Sequence, residues 1–331
     1  MNTSRNDIVL VTGGSGYLGT RVITDLLRSG TQVRASVRSL DSEQPLREAV
    51  RRGGADDADL HLVMASLTDD AGWDAAASGV DGVYHLASPM THATEDPEIV
   101  VTPARDGAVR VLRAARDAGV RRVVLTSSFA AVGYSSKPLN TSGVREYDED
   151  DWTAPDTPGL PAYPLSKAVA ERAAWDFIAH EGDGTELVVL NPTWIAGPTL
   201  TSDARSSLQA FSAMLGGHMP LAPRQRFGIA DVRDVASAHL AAMSTPDAAG
   251  KRYLLLADGP TTSWLGVANV LRGHFGELAT KVPTEEAPGD ELPPLVIHNE
   301  RAKTELGFAP RSAEATIVET VENMRDLGML G

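Results

Sequence analysis

The chain has 331 residues, no cysteine and a formal net charge of −14 at pH 7. The absence of cysteine excludes disulfide scaffolds, thiolate catalysis and cysteine-ligated zinc, and the negative charge disfavours nucleic acid as a partner. The start of the chain is polar, and no apolar run approaches the roughly 18 residues of a membrane span. We therefore expect a cytoplasmic protein without a signal peptide or a membrane segment.

Short apolar runs alternate with amphipathic stretches, which is typical of βαβ units. Strands are predicted at Ile8–Val11, Gln32–Val37, Leu60–Met64, Gly82–Leu86, Arg122–Thr126, Leu187–Leu190 and Arg252–Leu256. Helices are predicted at Arg21–Leu27, Val109–Ala118, Lys167–Ala179 and Trp264–Phe275. Continuous apolar strands separated by helices favour a parallel sheet that is buried on both faces. The predicted fold is therefore α/β, a doubly wound parallel sheet of the Rossmann type.

The pattern loosens after Asn191, where Gly, Pro and Ser become more frequent. We predict a smaller, partly interleaved C-terminal lobe that covers the carboxyl edge of the sheet and binds substrate. The Rossmann domain is assigned to residues 1–193 and 226–258, and the substrate-binding lobe to residues 194–225 and 259–331. Two surface loops are also predicted, at Pro283–Pro294 and at the acidic run Glu146–Asp151.

A glycine series follows the first strand directly, with Gly13, Gly16 and Gly19 spaced by three. Gly13 allows a tight turn, Gly16 lets the backbone approach a pyrophosphate, and Gly19 allows the following helix to pack on the sheet. The start of that helix offers unpaired N–H groups to an anion. The position between strand and helix favours a dinucleotide site over an ordinary glycine turn.

The end of the second strand indicates which dinucleotide is bound. An NAD site usually has Asp or Glu about 20 residues beyond the glycines, to hold the ribose 2′-hydroxyl. Arg38 stands at this strand end instead, with Arg34 nearby. A guanidinium suits a 2′-phosphate, so NADP(H) is favoured, and the alternative is a surface ion pair between Arg38 and Asp41.

Tyr163 and Lys167 are spaced i, i+4 and would share one face of a helix. A nearby ammonium favours the phenolate, so Tyr163 can donate a proton to a carbonyl oxygen or accept one from an alcohol. Ser127 and Ser128 follow the fifth strand, at the edge where ligands bind in such sheets. A hydroxyl there can stabilise a developing oxyanion, although two serines at a strand end are also common turn residues.

The chain resembles the extended short-chain dehydrogenases/reductases, and within them the dihydroflavonol reductase, cinnamoyl-CoA reductase and fungal carbonyl (methylglyoxal) reductase branch. The matching stretches are VTGGSGYLG at 11–19, VRASVR at 33–38, GVYHLASPM at 82–90, RRVVLTSS at 121–128, AYPLSKAVAERAAW at 162–175, NPTWIAGP at 191–198 and DVRDVASAHL at 231–240. The resemblance implies an NADPH-dependent reductase that converts ketones or aldehydes to alcohols, with Ser128 rather than Ser127 as the catalytic serine.

The resemblance also implies the site residues. The expected catalytic residues are Ser128, Tyr163 and Lys167. The expected cofactor-binding residues are Gly13, Ser15, Gly16, Tyr17, Leu18, Gly19, Arg38, Ser66, Leu67, Ala87, Ser88, Thr126, Lys167, Pro192 and Thr193. The expected substrate-binding residues are Met90, Ser128, Tyr163 and Trp194.

Two positions depart from the family pattern. Ser66 stands where the family usually has an Asp that contacts the adenine. Gly133 stands where the plant flavonoid enzymes have a substrate-binding Asn, which argues against a dihydroflavonol substrate. Several apolar residues can line a substrate pocket or belong to the core of the lobe, namely Met90, Trp194, Phe211, Met214, Leu215 and Phe227. The histidines show no metal-binding spacing, so no metal is expected.

Two other functions remain as alternatives. A nucleotide-sugar epimerase or dehydratase would share the scaffold, but such enzymes usually have an acidic end of the second strand. A non-catalytic NADP-sensing protein would typically lack the tyrosine. The expected partner is a small-molecule carbonyl substrate, and the chain is expected to be a monomer or a homodimer.

Overall fold

The computed structural model describes residues 7–89, 96–135, 137–202 and 207–330. The strands are β1 Ile8–Thr12, β2 Gln32–Val37, β3 Leu60–Met64, β4 Gly82–His85, β5 Arg122–Thr126, β6 Arg145–Tyr147, β7 Glu186–Pro192, β8 Trp194–Ala196, β9 Arg226–Phe227, β10 Ile229–Asp231, β11 Arg252–Leu255, β12 Thr262–Ser263 and β13 Leu295–Ile297. The helices are α1 Tyr17–Arg28, α2 Glu43–Arg52, α3 Trp73–Ala77, α4 Glu98–Asp117, α5 Ala162–Glu181, α6 Gln209–Leu215, α7 Val232–Ser244, α8 Trp264–Phe275, α9 Glu300–Leu306 and α10 Ala313–Asp326.

The main sheet has seven parallel strands in the order β11-β7-β5-β4-β1-β2-β3. This arrangement confirms the predicted doubly wound Rossmann fold, and all seven predicted strands are present. Helix α4 begins well before the predicted Val109. Pro103 and Gly107 lie inside this helix and weaken its sequence pattern, since both residues disfavour helix interiors.

Each face of the sheet carries its own hydrophobic core. On one face, Ile23 of α1 and Val235 of α7 pack against strand residues such as Val33. On the other face, Leu112 of α4 and Phe177 of α5 belong to a second cluster. The near-continuous apolar strands are explained by this burial on both sides.

A third core lies in the lobe that the small sheets and the late helices form. Phe211, Met214 and Leu271 are completely buried there, together with residues of α10. Ala302 and Leu306 of α9 pack instead into the sheet core that contains α1 and α7. The exact domain boundaries therefore stay a prediction.

The prediction of a solvated loop at Glu146–Asp151 is only partly correct, since Asp148 and Asp150 are exposed but the other residues are not. Its first residues belong to β6, which pairs with β13. Glu149 is only 5% exposed, and its carboxylate accepts a hydrogen bond from the backbone N–H of Leu254 at 3.1 Å. The acidic run is thus hydrogen-bonded to the edge strand β11. The other predicted loop, at 283–294, contains no helix or strand, as predicted. In the described part of the chain, every helix is too short or too polar to cross a membrane.

Candidate active site

The glycine loop between β1 and α1 is closely packed. Gly13 has a positive φ of 69°, and a Cβ atom at this position would lie 2.9 Å from the backbone of Ala87. A Cβ atom at Gly19 would lie 2.2 Å from the carbonyl oxygen of Gly13. Gly16 caps α1 without a side-chain hydrogen bond, and Ser15 beside it is exposed. The first N–H groups of α1 are therefore free of a side-chain cap and suit an anion.

The next two residues of the loop differ in how their side chains are placed. The Tyr17 hydroxyl donates a hydrogen bond to the carbonyl oxygen of Gly197 at 2.6 Å. Burial and then the Asp231 carboxylate raise the pKa of this phenol well above its ordinary value. Leu18 packs on the sheet core. Tyr17 thus fastens the start of α1 to the lobe, and its backbone N–H is the group left for a cofactor.

Arg38 lies exposed directly after β2. The Asp41 carboxylate accepts a hydrogen bond from the Ser39 hydroxyl at 2.8 Å, and no described carboxylate forms an ion pair with Arg38. The alternative of an Arg38–Asp41 surface pair is therefore wrong. Arg34 is occupied elsewhere, since it donates to the carbonyl oxygens of 75, 76 and 78 at the end of α3.

The ends of β3 and β4 carry the residues expected near the rest of the nucleotide. The Ser66 hydroxyl lies 3.0 Å from that of Thr68, and Leu67 packs against Gly107 of α4. Ala87 and Ser88 follow β4 and are half-buried. These residues line the carboxyl edge of the sheet next to the glycine loop.

A hydroxyl–imidazole pair joins β1 to β4 at this edge. Thr12 accepts a hydrogen bond from the backbone N–H of Ala87 at 3.0 Å, and its Oγ1 lies 2.7 Å from Nδ1 of His85. The pair ties the end of β1 to the end of β4, and either atom can be its donor. Burial, and to a smaller extent the Lys167 ammonium, lower the pKa of His85 to about 3. His85 is therefore neutral at pH 7 and packed in the sheet edge.

A second pair of the same kind holds the end of β5. His239 of α7 lies with Nδ1 2.7 Å from the carbonyl oxygen of Val235, so Nδ1 carries the hydrogen. Its Nε2 lies 2.6 Å from Oγ1 of Thr126, which is therefore the donor. Burial lowers the pKa of His239 to about 4. The Thr126 hydrogen is committed to α7, and only its lone pairs remain for a ligand.

Tyr163 and Lys167 lie one turn apart near the start of α5. Tyr163 is 45% exposed, whereas Lys167 is only 9% exposed. The Lys167 Nζ lies 5.8 Å from the centroid of the Tyr163 ring, and no described carboxylate lies within 4 Å of it. The ammonium is thus left to act on the phenol and on whatever ligand fills the cleft.

The two serines after β5 are placed differently. The Oγ of Ser127 is buried and has no partner among the described residues. Ser128 is half-buried, and its Oγ accepts a hydrogen bond from the backbone N–H of Ala130 at 3.1 Å. Because this oxygen is already an acceptor, its own hydrogen is available to a substrate oxygen. The accessibility favours Ser128 over Ser127 as the reacting hydroxyl.

A buried polar network behind Ser128 was not predicted from the sequence. The Asn191 amide donates to the carbonyl oxygen of Ser128 at 3.1 Å and to the Glu171 carboxylate at 2.8 Å. Arg252 donates to the same carboxylate at 2.6 Å. Two acceptors on one amide nitrogen fix its orientation, so the network holds the Ser128 main chain against β7. One signal for it was present, since Glu171 lies one turn beyond Lys167 on the same helix face.

Three of the expected residues lie at the end of β7 and the start of β8. Pro192 ends β7 and is buried, and Thr193 donates its backbone N–H to Leu255 at 3.0 Å. Trp194 stacks on Phe211 with ring centroids 5.1 Å apart. Met90 lies outside the described residues. Phe211, Met214, Leu215 and Phe227 belong to the lobe core, so the core alternative holds for them.

Comparison with known proteins places this geometry in a family. Residues 9–255 match the NAD dependent epimerase/dehydratase family. A cinnamoyl-CoA reductase of Medicago truncatula is 32% identical over 98% of both chains. A second one, of Arabidopsis thaliana, is 35% identical over 97% of this chain and 90% of its own. The chain belongs to the epimerase/dehydratase family.

A solved structure similar to this family member is that of the yeast methylglyoxal/isovaleraldehyde reductase Gre2 in complex with NADPH. It is 25% identical, covers 97% of this chain and 99% of its own, and superposes with a TM-score of 0.82. The resemblance predicted from the sequence motifs is therefore confirmed. Among the residues that the structure describes, no group of three or more His, Asp or Glu side chains is arranged to hold a metal ion.

Proposed function

We propose that this chain is an NADP(H)-dependent oxidoreductase that reduces ketones or aldehydes to alcohols. The observation that carries the proposal is the placement of Tyr163 and Lys167 on one face of α5, with a buried ammonium that has no described carboxylate partner. The free hydrogen of Ser128 at the same sheet edge supports it. The similarity to cinnamoyl-CoA reductases and to Gre2 supports the same reaction class.

The glycine loop and Arg38 suit NADP(H). The loop has no room for Cβ atoms at Gly13 and Gly19, and α1 starts without a side-chain cap. Arg38 would pair with the 2′-phosphate through its guanidinium. Ser66, Leu67, Ala87, Ser88, Thr126, Pro192 and Thr193 would line the remainder of the cofactor site. When bound, NADP(H) supplies the hydride for reduction.

The protein's own groups then act on the oxygen of the substrate. Tyr163 donates a proton to the carbonyl oxygen, and Ser128 donates a hydrogen bond to the same atom. Lys167 stabilises the phenolate that Tyr163 leaves behind, since an ammonium favours a nearby anion. In the reverse direction the same phenolate accepts the proton of an alcohol.

The two alternatives are less well supported. A nucleotide-sugar epimerase would call for a carboxylate at the end of β2, where this chain has an unpaired Arg38. A non-catalytic sensor would have no use for Tyr163, Lys167 and an uncommitted Ser128 hydroxyl together. Co-purification of tightly bound NAD would favour the epimerase.

A kinetic comparison of wild type with Tyr163→Phe tests the proposal. NADPH oxidation is followed by absorbance with a panel of aryl ketones and aldehydes. Removal of the phenol hydroxyl is expected to lower kcat by about 10²–10⁴-fold, which is the usual contribution of a positioned acid. Binding of NADPH, measured by its fluorescence, is expected to remain unchanged.

Two outcomes would contradict the proposal. Undiminished turnover by Tyr163→Phe would exclude Tyr163 as the acid, and no NADPH consumption across the whole panel would favour the sensor. The cytoplasmic location and the monomeric or dimeric state also remain proposals, which cell fractionation and sedimentation measure directly.

A further inference from the structure

A cavity of about 400 Å³ lies beside β9 in the lobe, which is large enough for part of a small ligand. Charged and amide side chains line it, namely Arg224, Gln225, Arg226, Glu286 and Glu291. None of these residues belongs to the catalytic edge of the main sheet. The cavity is therefore a polar site that is separate from the proposed catalytic residues.

The two arginines of this cavity differ in whether their guanidinium groups have partners. Arg224 pairs with Glu286 at 3.1 Å and donates to the carbonyl oxygen of Ala287 at 2.7 Å. Arg226 has a buried Nε without a hydrogen-bond partner, and no described carboxylate lies within 4 Å of its guanidinium. Since Arg226 lines the cavity and its Nε is buried, the two Nη groups are the donors that a ligand acceptor in the cavity would meet.

Gln225 connects this cavity to Tyr134, which lies in the segment after β5. Its Nε2 donates to the Tyr134 hydroxyl oxygen at 3.3 Å, and its Oε1 accepts from Trp264 at 3.2 Å. Tyr134 is therefore held as an acceptor, and its own hydrogen remains free. The Tyr134 ring packs edge-to-face on Phe129, the residue that follows Ser128, with ring centroids 6.3 Å apart, so the subsite adjoins the catalytic serine.

We propose that Tyr134, Gln225 and Arg226 form a recognition subsite for a carboxylate, and that the substrates are therefore oxo acids. A guanidinium binds a carboxylate through two parallel hydrogen bonds. Glu286 and Glu291 line the same cavity and the chain carries a net charge of −14, so a monoanion is favoured over a phosphate dianion. The proposal rests on the proposed reductase function, because the carbonyl of the same molecule would lie at Tyr163.

Oxo acids of increasing length, each paired with its methyl ester, test the subsite. KM and kcat are measured with wild type, Arg226→Gln, Arg226→Lys and Arg28→Gln. Arg28 is a matched control, since it is exposed at the end of α1 on the opposite edge of the sheet. Wild type is expected to have a KM about 10–100-fold lower for the best acid than for its ester, as a charged hydrogen bond contributes about 1.5–3 kcal/mol.

Arg226→Gln is expected to remove this preference by raising the KM of the acid about 10–100-fold relative to the KM of the ester. Arg226→Lys should restore part of the preference, and Arg28→Gln should behave like wild type. Equal KM values for acid and ester in wild type would overturn the subsite, and so would an Arg226→Gln variant that retains the preference.

A second variant covers the case in which Arg226→Gln does not fold. Tyr134→Phe keeps the ring that packs edge-to-face on Phe129 but removes the free hydrogen. It is expected to raise the KM of the acid, and an unchanged KM would count against the subsite. If the protein reduces esters and acids equally well, only the subsite is overturned. If it reduces neither, the proposed function is overturned.

Discussion

The carboxyl edge of the main sheet and the cavity beside β9 differ in how their side chains are held, although the edge also has buried atoms without a partner among the described residues, namely Ser127 Oγ, Asn191 Oδ1 and Arg252 Nη2. At the edge, Thr12 is bonded to His85, Thr126 to His239 and Glu171 to Arg252. In the cavity, the guanidinium of Arg226 lacks any described partner. These bonds fix the edge before any ligand arrives, which suits a proton transfer. The cavity is completed only when a particular substrate binds.

Breaking the most buried ion pair of the edge is expected to have the largest effect on stability. Arg252 and Glu171 expose 8% and 0% of their side chains. Arg252→Met would leave a buried carboxylate without its charge partner, which costs about 3–5 kcal/mol. Urea unfolding measures the change in the free energy of unfolding.

Arg105→Met is the matched control for this substitution. Arg105 and its partner Asp106, 2.7 Å apart, each expose 45% of their side chains, so loss of this pair should cost less than about 1 kcal/mol. Equal losses of unfolding free energy in the two variants would contradict the claim that the buried pair contributes more to stability than an exposed one.

The sequence predicted the edge much better than the cavity, for physical reasons. The glycine loop, Arg38 and the Tyr163–Lys167 pair depend on local spacing within one loop, one strand end or one helix turn. The Asn191–Glu171–Arg252 network joins β7, α5 and β11, and the Tyr134–Gln225 bond joins residues 91 positions apart. Contacts of this kind follow from the tertiary fold and leave no periodic pattern in the chain.

The acidic run at Glu146–Asp151 is a clear case of tertiary structure overriding composition. Its charges predicted a solvated loop, but backbone oxygens of Glu149 and Asp151 accept hydrogen bonds from Arg252 at 2.8 Å each. The same limit applies to Phe211 and Met214, which the sequence could not assign to pocket or core.

The choice between NADPH and NADH tests whether Arg38 binds the 2′-phosphate of the cofactor. Arg38→Ala is expected to raise the KM for NADPH by about 10–100-fold, because a charged hydrogen bond contributes about 1.5–3 kcal/mol. The KM for NADH should change little, since NADH lacks the 2′-phosphate. The paired kinetics of both cofactors measure this, and an equal rise for both would indicate damage to the fold instead.

The paired histidines predict a smaller, pH-dependent effect. The folded pKa of His239 is about 4, below the usual 6.5, so the unfolded chain binds more protons at pH 5. Stability should therefore fall as the pH drops from about 6.5 towards 4. From pH 8 to 5, His239→Gln should lose about 2 kcal/mol less than wild type, as measured by urea unfolding. An identical loss in both proteins would contradict the buried, neutral state of His239.

A crystal structure with NADP⁺ and the alcohol product tests the central assignment most directly. We expect the hydroxyl oxygen of the product to lie within about 2.6–3.2 Å of both Tyr163 Oη and Ser128 Oγ. A product that contacts neither oxygen, or a Tyr163 hydroxyl turned away from Ser128, would contradict the account.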